Sequence, residues 1–172
     1  MKKTLNAEKI IKLLRLEQLD SEGGYYAETY RSEECISADS LPARYQGKRS
    51  QSTAIYYLLT PDTFSAIHRL TSDEVFHFYA GDPVEMLLLR PNASGQKVVL
   101  GSNLLNGQRP QFIVPRGTWQ GARLIPGGRW ALLGTTVAPG FDRRDFALGG
   151  RTALLKQYPR YRALISALTN DR

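Results

Sequence analysis

The sequence predicts an all-β domain, a sandwich or barrel of short strands, flanked by a short helix at each end. Between residues 23 and 140, apolar and aromatic residues come in short runs, separated by turn sequences such as Pro61-Asp62 and Asn106-Gly107. Helical periodicity occurs only outside this region, near residues 7–17 and 159–169. Many short strands that do not alternate with helices are typical of a sandwich or barrel.

The first helix is predicted over residues 7–17, with Asn6 as its N-cap. Ile10, Leu13 and Leu14 recur at helical spacing and predict the face that it buries. Gly23 and Gly24 then give the backbone the conformational freedom to leave the helix.

Nine strands are predicted between the two helices. They cover residues 25–32, 52–60, 63–70, 74–80, 84–90, 97–100, 111–114, 119–125 and 129–138. The last helix is predicted over residues 159–169, because Pro159 suits a first turn. We expect one side of this helix to pack against the barrel or a partner subunit. Its apolar residues are Tyr161, Leu164, Ile165 and Leu168.

Length and composition predict a single domain over residues 1–172. The chain has 42% hydrophobic and 23% charged residues, as ordinary globular proteins do. Its apolar runs are shorter than the roughly 18 residues that a membrane helix needs, and Lys9, Lys12 and Arg15 interrupt any leader-like segment. One cysteine, Cys35, cannot form an internal disulfide. We therefore expect a cytoplasmic protein that does not bind membranes.

The net charge of +7 comes from 23 basic and 16 acidic residues. The basic residues are scattered, never more than two in a row, and no nucleic-acid-binding motif accompanies them. We expect a solvated basic surface and no nucleic-acid partner. The positive field can still attract an anionic small molecule into a cleft.

Two spaced motifs indicate where a site lies. The first has His68, then Glu74 six residues later and Gly81 seven residues further on. The second is Pro115-Arg-Gly-Thr-Trp-Gln120. Both resemble the two motifs of the cupin superfamily, H-x-H-x3-E-x6-G and P-x-G-x2-H, with Leu70 and Gln120 in place of two ligand histidines. The resemblance implies a cupin jelly-roll β-barrel.

The chain resembles the cupin 5 family more closely, from about Leu13 to Leu168. The matching stretches are residues 22–32, 52–59, 72–83, 114–120 and 136–142, followed by Asp145-Phe146. One departure is that Asp20-Ser21 stands where the family often has His-Pro. The resemblance implies a homodimer but no particular reaction, since members of the superfamily range from epimerases and dioxygenases to storage proteins.

Strand alternation predicts which side chains face into the barrel, because residues i and i+2 share a face. If His68 points inward, the inward set contains Phe64, Ala66, Leu70, Ile55, Tyr57, Leu59, Glu74, Phe76, Phe78, Ala80, Gln120, Ala122 and Leu124. His77, Asp73 and Trp119 then face outward. The prediction is an apolar, aromatic cavity for a small molecule, with substrate contacts from Gln120, Tyr57, Phe76 and Phe78.

The few polar groups in this cavity favour acid/base chemistry without a cofactor. We predict His68 as catalytic base, Glu74 as its orienting partner, and Tyr57 or Tyr26 as acid. If a divalent metal is bound, its ligands are His68, Glu74 and Gln120, and the protein is a metal-dependent oxygenase or isomerase. A third hypothesis is a metabolite-binding or sensor protein without catalysis, in which the polar groups only satisfy one another.

Charged residues outside the two motifs give weaker hypotheses. Arg31, Arg44 and Arg49 are candidate anion contacts at the barrel mouth. Phe141, Asp142 and Asp145 belong to a loop that can close one end of the barrel.

Overall fold

The structure is a computed structural model, and it describes residues 5–170. Two antiparallel sheets carry the fold. The first has six strands, in the spatial order β1 (Glu17–Gln18), β2 (Tyr25–Arg31), β5 (Thr53–Leu59), β12 (Ala131–Ala138), β7 (Asp73–Gly81) and β10 (Gln111–Val114). The second has five strands, in the order β13 (Phe146–Leu148), β6 (Ser65–Leu70), β11 (Trp119–Leu124), β8 (Val84–Leu89) and β9 (Gly95–Leu100).

Shorter elements complete the chain. A two-stranded ribbon pairs β3 (Cys35–Ile36) with β4 (Arg49–Ser50). The α-helices are α1 (Ala7–Leu14), α2 (Arg151–Gln157) and α3 (Arg162–Ala167), and single 3-10 turns cover Ala38–Ser40, Leu104–Asn106, Arg143–Asp145 and Pro159–Tyr161. None of the helices in residues 5–170 is long and apolar enough to cross a membrane.

The hydrophobic core lies between the two sheets. It contains Tyr57, Leu59, Phe76, Ala131 and Leu133 from the first sheet, and Met86, Leu88, Ala122 and Leu124 from the second. Each Leu, Phe or Met side chain among them contributes about 1.5–3 kcal/mol when it is fully buried. The all-β jelly roll is confirmed, with the two sheets facing each other but not hydrogen-bonded into one ring within the described residues.

The predicted inward faces are largely confirmed. His68, Ala66 and Leu70 are at most 6% exposed, and so are Tyr57, Leu59 and Ala122. Phe64 is an exception: it precedes β6 and packs against the C-terminal helices on the outside of the second sheet. His77, Asp73 and Trp119 face outward as predicted, and Trp119 also packs in the cluster under the C-terminal helices.

The first helix begins as predicted but ends early. The side chain of Asn6 accepts a hydrogen bond from the backbone N–H of Lys9, 3.0 Å away. The helix ends at Leu14 rather than residue 17, because Arg15 adopts a left-handed conformation with φ of 53°. Ile10 is buried against Leu16 and Leu58, whereas Leu13 is 72% exposed, so its predicted burial is wrong.

The C-terminal segment contains two helices where one was predicted over residues 159–169. Pro159 begins a 3-10 turn, as its position suggested, and the turn leads into α3. Helix α2 was not predicted. Tyr161, Leu164, Ile165 and Leu168 all pack on the outer face of the second sheet, against Ile67, Leu87 and Leu89. Their predicted role as a face packed against the barrel is confirmed.

Candidate functional site

A cavity of about 360 Å³ opens between the sheets, at the end where β13 pairs with β6. Its polar wall contains Glu22, His68 and Glu74, and the exposed part of its lining contains Arg31 and Arg143. Aromatic side chains line the remainder together with aliphatic ones, including Tyr26, Phe141 and Phe146. The cavity is therefore more highly charged than the sequence predicted.

His68 is fixed on every side within this wall. It is 2% exposed, and its Nδ1 lies 2.8 Å from the carbonyl oxygen of Ala66, which accepts the Nδ1 proton. The ring stacks on Phe146 with 5.1 Å between the ring centroids. This contact follows from the pairing of β13 with β6, which places Leu148 opposite His68 and Phe146 two residues away.

Two carboxylates flank the imidazole on opposite sides. Glu22 Oε1 lies 3.7 Å from Nδ1, and Glu74 Oε2 lies 4.0 Å from Nε2. Burial disfavours the charged ring, but the two carboxylates and the Ala66 carbonyl favour it more strongly, and the pKa of His68 rises to about 9. The imidazole therefore carries a positive charge at neutral pH.

Glu22 occupies a turn just before β2. Its carbonyl oxygen accepts a hydrogen bond from Ala66 N at 2.7 Å, and its Oε1 accepts one from the Ser65 hydroxyl at 2.7 Å. Gly23 makes this approach feasible, because it has a φ of 99° and a Cβ there would lie 2.2 Å from the Phe64 carbonyl oxygen. Burial raises the pKa of the Glu22 carboxyl; the charge of His68 opposes this rise and Glu74 adds to it.

Gln120 lies directly opposite His68 in the pairing of β11 with β6. It is 1% exposed, and its Nε2 lies 2.5 Å from Glu74 Oε2 and 3.3 Å from His68 Nε2. Its Oε1 has no hydrogen-bond partner within residues 5–170. The amide N–H thus donates to the Glu74 carboxylate and fixes it beside the imidazole.

The predicted site residues divide into two groups. His68 and Glu74 line the cavity, and Gln120 lies behind them, in contact with both. Tyr57, Phe76 and Phe78 are not among the lining residues and belong to the core between the sheets. The Tyr57 hydroxyl donates to the carbonyl oxygen of Gly23 at 2.8 Å, and burial raises the pKa of this phenol well above its ordinary value. Tyr26, the other candidate acid, does line the cavity.

Sequence reasoning missed Glu22, Arg143 and Phe146 as site residues. Strand alternation could not find them, because Glu22 lies in a turn and Arg143 in a 3-10 turn. The sequence did contain one signal for this part of the site, the run Glu22-Gly-Gly-Tyr-Tyr. Both of its glycines have positive φ in the structure.

The three arginines proposed as anion contacts have different environments. Arg31 lines the cavity, where it is held by Glu28 at 2.7 Å. Arg49 is 2% exposed and makes a bidentate ion pair with Asp145, at 2.7 and 2.8 Å. Its predicted place at the barrel mouth is therefore wrong. Arg44 lies outside the cavity, in a second groove.

The donor set does not fit a metal ion held in the manner of a cupin. Within residues 5–170 no three His, Cys, Asp or Glu side chains converge on one point, since Glu22 and Glu74 face opposite nitrogens of His68. The Nε2 atom of Gln120 contacts both Glu74 and His68 Nε2, the two strong donors of the predicted set. An amide N–H group is a hydrogen-bond donor and not a ligand.

The family model described as cupin superfamily (DUF985), or Cupin_5, matches residues 8–149. The chain belongs to this family. It is 36% identical to protein SO0799 of Shewanella oneidensis, whose crystal structure superposes with a TM-score of 0.85 over 98% of this chain and 100% of the other. It is also 30% identical over 132 residues to the uncharacterized protein YML079W of Saccharomyces cerevisiae. That match covers 72% of this chain and 66% of the yeast protein, just under two thirds of its length.

A more distant likeness extends to oxalate decarboxylase of Bacillus subtilis. One of its structures superposes with a TM-score of 0.53 over 91% of this chain and 38% of the other, at 13% identity. This likeness concerns the cupin fold alone. Members of the superfamily can bind metal, as the Mn(II) centres of oxalate decarboxylase illustrate.

Proposed function

We propose that this protein binds a small anionic metabolite in the cavity and isomerises it by proton transfer, without a metal ion. The observation that carries the proposal is the position of His68 between Glu22 and Glu74 in the wall of a 360 Å³ cavity. A cavity of this size and mixed lining suits a small organic ligand. A buried His flanked by carboxylates is a typical acid/base group.

His68 supplies the acid in this proposal. Because its pKa is about 9, the ring is an imidazolium at neutral pH and can donate a proton. The role of base, first predicted for His68, therefore passes to a neighbouring group. Glu74 and Gln120 are positioning residues, because Gln120 donates to Glu74 and the Glu74 carboxylate lies 4.0 Å from the imidazolium Nε2.

Glu22 supplies the base. Its carboxyl lines the cavity and is oriented by the Ser65 hydroxyl, and burial moves its pKa upward, towards the range in which a carboxylate is an effective base. Glu22 takes a proton from the substrate while His68 gives one to another of its atoms. Glu22 then releases its proton to solvent water and His68 takes one up from it, which restores the starting state. The net reaction is an isomerisation with no other reactant.

The substrate class follows from the arginines in the lining. The guanidinium of Arg143 lies over the Phe146 ring, 4.4 Å from its centroid, so one face is packed while its N–H edges remain available. Arg143 therefore places positive charge in the exposed part of the lining, whereas the charge of Arg31 is balanced by Glu28, which also lines the cavity. We therefore propose a substrate that carries a carboxylate or phosphate group and an apolar part that contacts Phe141 and Phe146.

Deuterium exchange tests the reaction directly. Small carboxylates and phosphate esters that raise the melting temperature are incubated with the protein in D₂O, and incorporation of deuterium at carbon is followed by NMR. We expect incorporation that persists in a chelator and is lost in E22Q and H68N. H77N is the matched control, because His77 is the other histidine and lies on the outer face. Exchange that survives in both site variants would overturn the assignment.

Ligand binding without turnover is the second candidate. The hydrogen bond from Gln120 Nε2 to Glu74 favours it, since this bond engages the Glu74 carboxylate before any substrate binds. This function predicts ligands that raise the melting temperature but never gain deuterium. The homodimer and the cytoplasmic location stay predictions from the sequence.

A further inference from the structure

A second concavity, of about 380 Å³, lies beside the first. Leu70 and Phe146 line both, so they form part of the wall between them. Four arginines line it, Arg44, Arg69, Arg116 and Arg144, and we call it the arginine groove. We propose that the arginine groove binds a compact polyanion, a small molecule with two or more phosphate groups, at a site separate from the cavity.

The charge of the groove is not balanced by the protein itself. The one carboxylate in its lining, Asp145, is already taken up by the bidentate ion pair with Arg49. Arg144 is paired with Asp142 at 2.8 Å. Within residues 5–170 the guanidinium groups of Arg44, Arg69 and Arg116 form no ion pair. Three positive charges around one concavity therefore lack a counter-ion among the residues that the structure describes.

Two of these guanidinium groups are held in place by aromatic rings. Arg69 lies over Trp119, 4.5 Å from the ring centroid, and Arg44 lies over Tyr45 at 4.7 Å. Stacking uses the face of the guanidinium and leaves N–H edges for hydrogen bonds. An arginine that an aromatic ring already holds loses less side-chain motion when its N–H edge binds a phosphate oxygen than a mobile arginine does.

The third guanidinium group, that of Arg116, belongs to a turn that hydrogen bonds hold in place. The backbone N–H of Arg116 donates to Asp73 Oδ1 at 2.7 Å, and that of Gly117 donates to the carbonyl oxygen of Leu70 at 2.8 Å. These bonds fix the start of the Arg116 side chain at the edge of the groove. The two acceptors belong to strands, Leu70 to β6 and Asp73 to β7, and the turn that carries Arg116 precedes β11.

The number and arrangement of the arginines favour a polyphosphate over a single phosphate or a nucleic acid. Each arginine can bind one phosphate group through two parallel N–H bonds, so three unpaired arginines match more than one group. A nucleic-acid chain needs a basic stripe along which its backbone can run. Here the arginines line one open concavity, and the other basic residues of the chain are scattered.

Calorimetric titration with inorganic tripolyphosphate tests the proposal. We expect one binding site, weakened by at least about tenfold in R69Q/R116Q, which removes two bidentate partners. The matched control is R109Q/R160Q, which removes the same charge from two exposed arginines outside the groove and should change the affinity less than about twofold. The cavity variant E22Q should bind tripolyphosphate as the wild type does.

Several results would overturn the site. They are an absence of binding to the wild type, an equal loss in both double variants, and a preference for a single-stranded oligonucleotide over tripolyphosphate. If R69Q/R116Q fails to fold, the wild-type protein still gives an answer through Trp119, one of two tryptophans in the chain. Tripolyphosphate should change the emission of wild-type protein, but not that of W119F, in which only Trp130 remains. An unchanged wild-type emission would contradict the proposal.

Discussion

The carboxylate of Glu22 lies 3.7 Å from His68 Nδ1, on the side of the ring opposite to Glu74. The two residues come from different kinds of structure, since Glu22 lies in a turn and His68 in β6. A backbone hydrogen bond from Ala66 to Glu22 joins these segments. A charged imidazole is thereby held in a buried place where it would otherwise lose its proton.

The pH dependence of stability should report this charge. The pKa of His68 is raised to about 9 in the folded protein and is about 6.5 in an unfolded chain. The folded state thus binds the proton more tightly, so its extra stability is complete below pH ~6.5 and is lost as pH rises through about 9. Urea unfolding should show a loss on the order of 3 kcal/mol over this window.

The control for this loss is the difference between variants. H68N should lose much less stability between pH 6.5 and 9.5 than the wild type does, whereas H77N should follow the wild type. If the free energy of unfolding changed equally with pH in H68N and in the wild type, His68 would not be charged in the folded protein.

Removal of the Glu22 charge should lower the pKa of His68. In E22Q the imidazolium remains buried but loses one of its two carboxylate neighbours, so we expect its pKa to fall by about one unit or more. NMR of the imidazole nitrogens measures this cleanly, because the chain has two histidines and H77N assigns the other. E85Q is the matched control, since Glu85 pairs with Arg123 outside the cavity. An unchanged titration in E22Q would contradict the proposed pairing.

The ion pair of Arg49 with Asp145 should be important for folding. Its side chains are 1% and 6% exposed, so R49M leaves a buried carboxylate without its partner. We expect a loss of about 3–5 kcal/mol in the free energy of unfolding. The double variant R49M/D145L should recover much of this, because no unpaired charge remains.

A surface ion pair provides the comparison for R49M. Arg144 and Asp142 are 51% and 28% exposed, and R144Q should lower the free energy of unfolding much less than R49M does. If R49M lowered the free energy of unfolding as little as R144Q does, the buried ion pair would not be what stabilises the segment that carries Phe146.

The strands of the fold could be predicted well from sequence because one side of each sheet is buried. His68, Tyr57, Phe76 and Ala122 follow the period of two, and all four are buried as that period predicts. Phe146–Leu148 escaped prediction, since three residues are too few to show an alternation. Helix α2 escaped because Gly150 precedes it without a capping side chain.

The site was harder to predict than the strands for a physical reason. The two cupin-like motifs identified His68, Glu74 and Gln120, and alternation then placed them on the inward faces of their strands. It placed Tyr57 in the cavity, whereas the Tyr57 hydroxyl bonds to Gly23 and the ring packs in the core. It had no means to place Glu22, whose approach to His68 depends on the turn at Gly23 and on contacts between residues far apart in the chain.

Restoring the two missing histidines should create a metal site. Leu70 lines the cavity near His68, and Gln120 contacts both His68 and Glu74, so L70H/Q120H supplies the four ligands of the cupin motifs. Mass spectrometry of protein incubated with manganese, iron, nickel, copper or zinc should find about one metal ion per chain in this variant. The wild type should bind far less, because Gln120 directs the N–H side of its amide, which cannot bind a metal, at the two remaining ligands.

The triple variant L70H/Q120H/E74A provides the control, since it keeps both new histidines but removes the carboxylate ligand. It should bind metal more weakly than L70H/Q120H. A wild-type protein that already holds one metal ion per chain, and loses it in E74A, would contradict both the donor analysis and the metal-free mechanism. The cavity would then belong to a metal-dependent cupin, in which Gln120 must rotate so that its carbonyl oxygen, unpaired within the described residues, becomes the third ligand.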